Sequence, residues 1–408
     1  MADSNPSRPT YPRGTLFFTV FLDLAGFGMI LPLLPFYAQR YGADALQVGL
    51  LFSVYSLAQA VGAPALGRLS DRFGRRPVIL LSNFGLGLDY VLMALAPSIA
   101  WLFVGRVLSG ITAASFSTAS AYIADVTPPE KRAGAFGMLG AAFGIGFVLG
   151  PALGGVLGAA DPRLPFWVAG VLSFLNALYG LFVLPESLAP EHRETFRWTR
   201  ANPLGSLRLL RRQPELLGLA VVLFLGGLAH EVLPSTFVLY AGYRYDWDAR
   251  TLGLTLAAVG VCSGIVQGAL VRPIVARFGE RRALLTGLVF GSLGFAAYGL
   301  APTGAWFWAG IPLMSIWGLA GPSAQGLMTR LVSPSEQGKL QGAHGSLRGI
   351  AGLFGPGLFT LTFAAFISTL RDWHLPGAPF LVAALLVGSA VPLALKATRR
   401  PAGAEGLE

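Results

Sequence analysis

Seven ionisable side chains lie within apolar stretches long enough to cross a bilayer: Asp23, Asp89, Arg106, His230, Glu231, His344 and Arg348. A charge placed in hydrocarbon costs at least a few kcal/mol, so these positions are the first candidates for moving protons or binding a charged ligand. At 1.5 Å rise per residue, Asp89 lies about 16 Å into its stretch and Arg106 about 9 Å below the opposite edge. A very short loop joins the two stretches, so their depths differ by about 5 Å, within an arginine's reach. A buried Asp89–Arg106 pair is expected. Asp23 sits about 12 Å deep and Glu231 about 22 Å along its stretch. Glu231 has no evident partner in the sequence, and an acid without a fixed partner is the better proton carrier because its charge can follow access to water. His230 precedes it but faces about 100° away. Arg348 is placed to attract an anionic group or to pair with an acid across the molecule.

Two further patterns are not explained by apolarity. GRLSDRFGRRP, Gly67 to Pro77, sets Asp71 among Arg68, Arg72, Arg75 and Arg76 between two apolar stretches. It is expected to be a tight turn at a membrane surface, with Gly67, Gly74 and Pro77 allowing close approach and stopping the helix. Its cations mark a cytoplasmic loop; Asp71 does little for orientation and is therefore a functional candidate. In GMLGAAFGIGFVLGPALGGVLG, Gly146, Gly150 and Gly154 recur every four residues beside Pro151 and Gly155. That spacing permits close helix contact and a kink.

The elements that must position these residues are helices. The chain has 408 residues, 54% apolar and 12% charged, against about 25% charged in a soluble domain. Twelve apolar runs are expected near 15–36, 45–66, 78–97, 100–121, 134–158, 165–185, 216–241, 250–271, 283–302, 305–329, 340–367 and 379–397. Of 30 Lys/Arg, 23 fall on the side of the N-terminus and five on the other, with Arg106 and Arg348 inside runs. Both termini are thus expected in the cytoplasm of a multi-pass inner-membrane protein. The net charge of +10 follows topology rather than a nucleic-acid stripe. The single Cys262 and four scattered histidines (His192, His230, His344, His374) offer no metal set, disulfide or catalytic constellation. No phosphate-binding loop is present; Gly338-Lys339 runs into Leu340. The reading is a non-enzyme without metal or cofactor, and with no obligate protein partner.

The halves repeat. DRFGRRP at 71–77 recurs as ARFGERR at 276–282, and DVTPPEKR at 125–132 more weakly as LVSPSEQG at 331–338. Echoes about 205 residues apart indicate a duplicated six-helix unit. The expected organisation is a tail (1–14), a first half (15–185), a polar linker (186–215), a second half (216–397) and a tail (398–408). The linker's LGSLRLLRR is a candidate surface helix. Two such halves with a site between them near the mid-plane is a transporter arrangement.

Gly67, Leu69, Asp71, Arg72, Gly74, Arg75 and Arg76 fill every position of a pattern that resembles the loop 2–3 signature of the major facilitator superfamily. With LDLAGFGMILPLLP, GLDYVLMALAP, GRVLSGITAAS, the glycine-rich fifth run and QGKLQGAHGSLRGIAGLFGP, the chain is similar to the tetracycline-efflux branch of the drug:proton antiporters. The resemblance implies an all-α fold of twelve transmembrane helices in two pseudo-symmetric halves, and export of small amphipathic compounds against protons by alternating access. It implies a conformational gate of Gly67, Asp71, Arg72, Gly74, Arg75 and Asp125. In that gate Asp71 would look toward the start of run 11 near Gln341 in the outward-facing state, and Arg75 would link the loop to Asp125. It assigns Asp23, Asp89 and Arg106 to polar membrane positions, Gln59 and Gln267 to the cavity, and Gly146, Gly150, Pro151, Gly154 and Gly155 to an antiporter signature. Where the family carries a histidine and an aspartate for coupling, this sequence has Ser263 and Gly291/Ser292, and Glu231 is expected to replace the lost acid. An importer or uniporter, or a non-transporting receptor, are the alternatives. Phe27, Tyr55, Phe116, Tyr122, Phe237, Tyr240 and Trp317 are candidate cavity aromatics.

Overall fold

The computed structural model describes residues 13–113, 115–127, 132–193, 207–333 and 336–399, which are helical with short connections. Most of both tails and linker residues 194–206 lie outside the described residues. Twelve membrane crossings can be counted. Span 1 is Arg13–Ile30 with Leu33–Arg40, bent by 42°; span 2 is Ala45–Phe73 and span 3 Arg75–Leu95. Span 4 joins Ile99–Thr112 to Ser115–Val126, span 5 is Arg132–Ala160 and span 6 Leu164–Val183. Span 7 joins Pro214–His230 to Val232–Tyr245. A continuous 52-residue stretch follows, 249–300, about 78 Å of helix and too long for one crossing. Gly279, at φ +79°, divides it into spans 8 and 9. Span 10 covers 304–330 in three helical pieces, span 11 is Gln337–Ile367 and span 12 Ala378–Ala397.

These helices outrun the apolar runs because polar end residues stay helical. The Gly67–Pro77 turn is tighter than expected: residues 67–73 complete span 2, Arg75 opens span 3, and Gly74 at φ +107° makes the reversal alone. Gly67 is an ordinary helical residue, and Pro77 sits in the first turn of span 3, where a missing N–H costs nothing. Gly279 stands 205 positions after Gly74 and makes the same reversal.

The duplication extends to tertiary contacts that the sequence echoes did not reveal. The hydroxyl of Tyr41 donates to the Ala96 carbonyl at the end of span 3 (2.5 Å), and that of Tyr245 to the Ala301 carbonyl at the end of span 9 (2.9 Å). Asp44 caps span 2 by accepting from the Gln47 N–H (2.7 Å), as Asp248 caps span 8 from Thr251 (2.8 Å). Each cap contributes about 1 kcal/mol. Trp101, Trp167, Trp306, Trp308 and Trp373 are exposed at helix ends on the arginine-poor face, as an interfacial aromatic belt requires.

The halves meet along two seams that close only at this arginine-poor face. On spans 5 and 8, a Cβ at Gly155 would meet the Ala249 carbonyl oxygen at 2.6 Å, and one at Gly253 would strike that of Pro151. Further along the same faces Gly260 abuts Val148 (2.8 Å), and then Gly144, Gly140, Gly264 and Gly268 face nothing within 4 Å. On spans 2 and 11, Gly49 packs under Thr360 and Pro356, Gly352 against Ser56 (2.7 Å), and Gly349 only reaches Ala60 (3.8 Å). Gly67 and Gly345 then face open space. The molecule is a wedge, shut at the arginine-poor face and parted at the arginine-rich one.

Filling the closed seam should cost what overpacking costs. Gly253→Leu is expected to lower unfolding stability by about 1–3 kcal/mol, read as Tm in detergent, whereas Gly264→Leu on the open part of the same stripe changes it by about 0.5 kcal/mol or less. Equal effects would mean the seam is not closed at Gly253.

Candidate functional site

The first half holds its charges in closed partnerships. Arg106 of span 4 donates to Asp89 Oδ2 of span 3 at 3.0 Å, with side chains 5% and 0% exposed. Gly105 makes room, since a Cβ there would lie 2.5 Å from Asp89 Oδ1. The guanidinium also contacts Met93 Sδ (3.3 Å) and lies 5.4 Å from the ring of Tyr55 on span 2, whose hydroxyl accepts from Gln59 Nε2 (3.3 Å). Asp89, Arg106, Tyr55 and Gln59 therefore form one constellation across three spans. Asp23 is joined to span 6 by Asn176, whose amide donates to Asp23 Oδ1 and the Thr19 carbonyl, each at 2.9 Å. Asn176 had no signal in the sequence beyond being a polar residue in an apolar run.

The second half leaves its intramembrane charges open. Pro234 has no N–H to give the His230 carbonyl, and span 7 breaks there, between the helices ending at His230 and starting at Val232. Glu231 sits at the break. Its Cβ and Cγ press on span 11 at Gly355, and its Oε1 is 3.8 Å from where a Cβ of Gly352 would be. Ser56 of span 2 meets the same Gly352, so Glu231 lies directly beneath the closed seam of spans 2 and 11. Among the described residues its carboxylate makes no hydrogen bond; its charged neighbour is Arg348, which is exposed and also faces His230 and His344. His230 is exposed in mid-span and stacks near Trp317 (5.9 Å). His344 meets Gln325 Nε2 through Nε2 (3.2 Å) and keeps a buried, unpartnered Nδ1.

Trp317 fills the space beside Gly291 of span 9. A Cβ at Gly291 would lie 2.5 Å from Trp317 Cδ1, and Ser292 turns away to donate to the Ala384 carbonyl at 2.8 Å. The space beside Gly291 is filled by indole. Gln267 is exposed in a π-helical turn, Val266–Leu270, a distortion frequent at functional sites. Of the candidate aromatics, Tyr55 and Trp317 touch these clusters. Phe237 and Tyr240 are buried in a ring cluster at the arginine-poor end, Tyr122 donates to the Pro185 carbonyl (2.9 Å), and the side chain of Phe116 lies outside the described residues.

Span 5 presents two glycine faces that the sequence pattern had merged. Gly146, Gly150 and Gly154 pack on Leu24, Ala25 and Met29 of span 1, inside the first half, as the Pro151 ring does on Gly28; Gly155 and the Pro151 carbonyl face span 8 across the seam. One stripe packs within the first half and the other forms the seam between the halves.

At the arginine-rich face, Arg75 joins three elements. Its NH1 donates to Asp71 Oδ1 (2.6 Å) and Ser70 Oγ (2.7 Å), and its Nε to Asp125 Oδ2 of span 4 (3.1 Å). Arg72 instead lies over the Phe73 ring at 5.0 Å. Asp71 pairs with Arg75 and, at 3.7 Å, Arg68 of its own loop rather than with the start of span 11. The reason is the open seam: Gly67 and Gly345, which flank that approach, face empty space.

Glu186, assigned to the linker by its polarity, belongs to this cluster. It accepts from the N–H groups of Arg75 (2.8 Å) and Arg76 (3.2 Å), the unpaired first amides of span 3, and from Ser187 and Leu188 (3.0 Å each). A carboxylate there satisfies orphan donors and the helix dipole together. In the second half the Arg75–Asp125 pair reappears reversed, as Glu280–Arg330 at 3.0 Å, each 205 positions on. The loss of the acid at Ala276 thus leaves a charge pair in place. The linker's Leu209 and Leu210 bury against the second half and Arg212 pairs with Glu336, so this segment is packed rather than lying free on the surface.

Two outcomes follow. Asp89→Leu alone should cost about 3–5 kcal/mol of unfolding stability, and Asp89→Leu with Arg106→Leu markedly less, because the single change strands a buried charge; equal losses by thermal unfolding would contradict a closed pair. Glu186→Ala should cost about 1–2 kcal/mol through the lost cap, with Glu186→Gln intermediate.

A family model described as Major Facilitator Superfamily matches residues 16–356. The chain is 37% identical over 372 residues to the class C tetracycline resistance protein of Escherichia coli, covering 89% of this chain and 93% of that one. It is 34% identical to the class B protein of Escherichia coli, over 86% and 88% of the two chains. Its fold matches the human organic anion transporter MFSD10 (TETRAN) with a TM-score of 0.72 at 25% identity, over 95% of this chain and 100% of that one. A mutant of the nucleoside transporter NupG matches with a TM-score of 0.79 at 14% identity, over 95% and 100% of the two chains. The twelve spans, the two repeated halves and these likenesses agree: the chain belongs to the Major Facilitator Superfamily.

Proposed function

We propose that this protein is a proton-coupled secondary transporter that exports small amphipathic compounds, tetracycline-like or more varied, by alternating access. The observation that carries the reading is Glu231, a carboxylate without a hydrogen-bond partner among the described residues, set under the closed seam and beside Arg348. Opening that seam would change which face of the membrane it meets, which is what a proton carrier requires. The similarity to tetracycline resistance proteins supports the substrate class. If the arginine-rich face is cytoplasmic, as the positive-inside rule places it, both termini are inside and this is the inward-facing state. In the outward-facing state Asp71 would then approach the start of span 11, and the Arg75–Asp125 link would carry the movement into span 4. Gln59, Gln267 and Arg348 would line the cavity.

Proton entry across an inner membrane is worth about 2.3 kcal/mol per 100 mV, which sustains a roughly 50-fold gradient for one proton per substrate. In everted vesicles, tetracycline or cationic-dye uptake should follow an imposed pH gradient and collapse with it. Glu231→Gln should reduce gradient-driven uptake at least about tenfold while substrate binding persists. Uptake indifferent to the gradient would support the uniporter reading, and coupled uptake by Glu231→Gln would remove Glu231 as the carrier.

A further inference from the structure

A cavity of about 550 Å³ lies outside the central cleft, between spans 8, 9 and 10 on the arginine-rich side. One wall is a single face of span 8: Val266, Leu270, Ile274 and Phe278, each four residues apart. The other walls are apolar parts of spans 9 and 10, with Thr286 the one hydroxyl, and Arg282 lies at the mouth. From Val266 to Phe278 the wall runs about 18 Å, close to the ~15 Å of one leaflet's hydrocarbon.

We propose that this crevice holds an acyl chain of an anionic phospholipid, with the phosphate at Arg282. Charge complementarity selects that occupant. Arg282 is exposed and makes no ion pair among the described residues. Arg277, over the Phe278 ring at 5.6 Å, and Arg281, donating to Thr398 Oγ at 3.1 Å, complete a cationic collar. The one acid of the loop, Glu280, is already taken by Arg330. Basic pockets between spans are the form that anionic headgroup sites take. The crevice wall includes the π-helical turn whose other residues include Gln267, so a bound lipid would brace span 8 from behind.

The test uses the full-length protein, delipidated in detergent and titrated with phosphatidylglycerol or with phosphatidylcholine of the same chains. Retained lipid is counted by native mass spectrometry and stability is read as Tm. Wild type should retain one phosphatidylglycerol in preference to phosphatidylcholine and gain a few degrees in Tm from it. Arg282→Gln should reduce the preference at least fivefold, and Thr286→Trp, which fills the crevice from an exposed position, should abolish retention of both lipids. Equal retention of the two lipids by wild type, or unchanged preference in Arg282→Gln, would overturn the proposal. So would an equal Tm gain from inorganic phosphate alone, which would mark a soluble-anion site.

Discussion

Backbone touches backbone at the arginine-poor ends of spans 2, 5, 8 and 11, and the rest of the architecture depends on that contact. Gly155 against Ala249, Gly253 against Pro151 and Gly49 against Pro356 leave no room for a side chain. Glycine surfaces in a membrane gain little from a hydrophobic effect, since lipid is equally apolar, so the seams are held by close packing. Close packing is lost almost completely over a small separation. A seam of this kind therefore depends on the close approach of the two backbones.

The halves differ in how they hold charge. In the first, Asp89 is tied to Arg106, Asp23 to Asn176, and Asp71 and Asp125 to Arg75. In the second, Glu231, Arg348 and His230 share a region without direct pairing. Paired charges therefore sit on one side of the cleft, and Glu231, without a hydrogen bond among the described residues, on the other. The Trp317 indole occupies the space beside Gly291 and flanks His230 in the same region.

The surface cluster around Arg75 shows how far the first half is organised as one body. It ties the start of span 3, the end of span 4 and the segment after span 6, through Asp71, Asp125 and Glu186. The second half keeps an equivalent pair in reverse, Glu280 with Arg330. Reversal preserves the attraction while changing which element carries the positive charge.

The sequence by itself determined the twelve spans, the duplication, the Asp89–Arg106 pairing and the isolation of Glu231, because these follow from hydropathy, spacing and depth, which are local or one-dimensional. It could not separate the two glycine faces of span 5, as both share one periodicity and differ only in which helix each meets. It also assigned Glu186 to a linker, since polarity does not say which helix end a carboxylate will cap. The Glu280–Arg330 reversal stayed hidden because the eye follows identity between repeats, and opposite charges conserve the bond and not the letter. Which face is shut was decided by tertiary structure alone. Hydropathy, spacing and motif are read along one chain, whereas the closed seam depends on how two six-helix bodies meet, which no local pattern encodes.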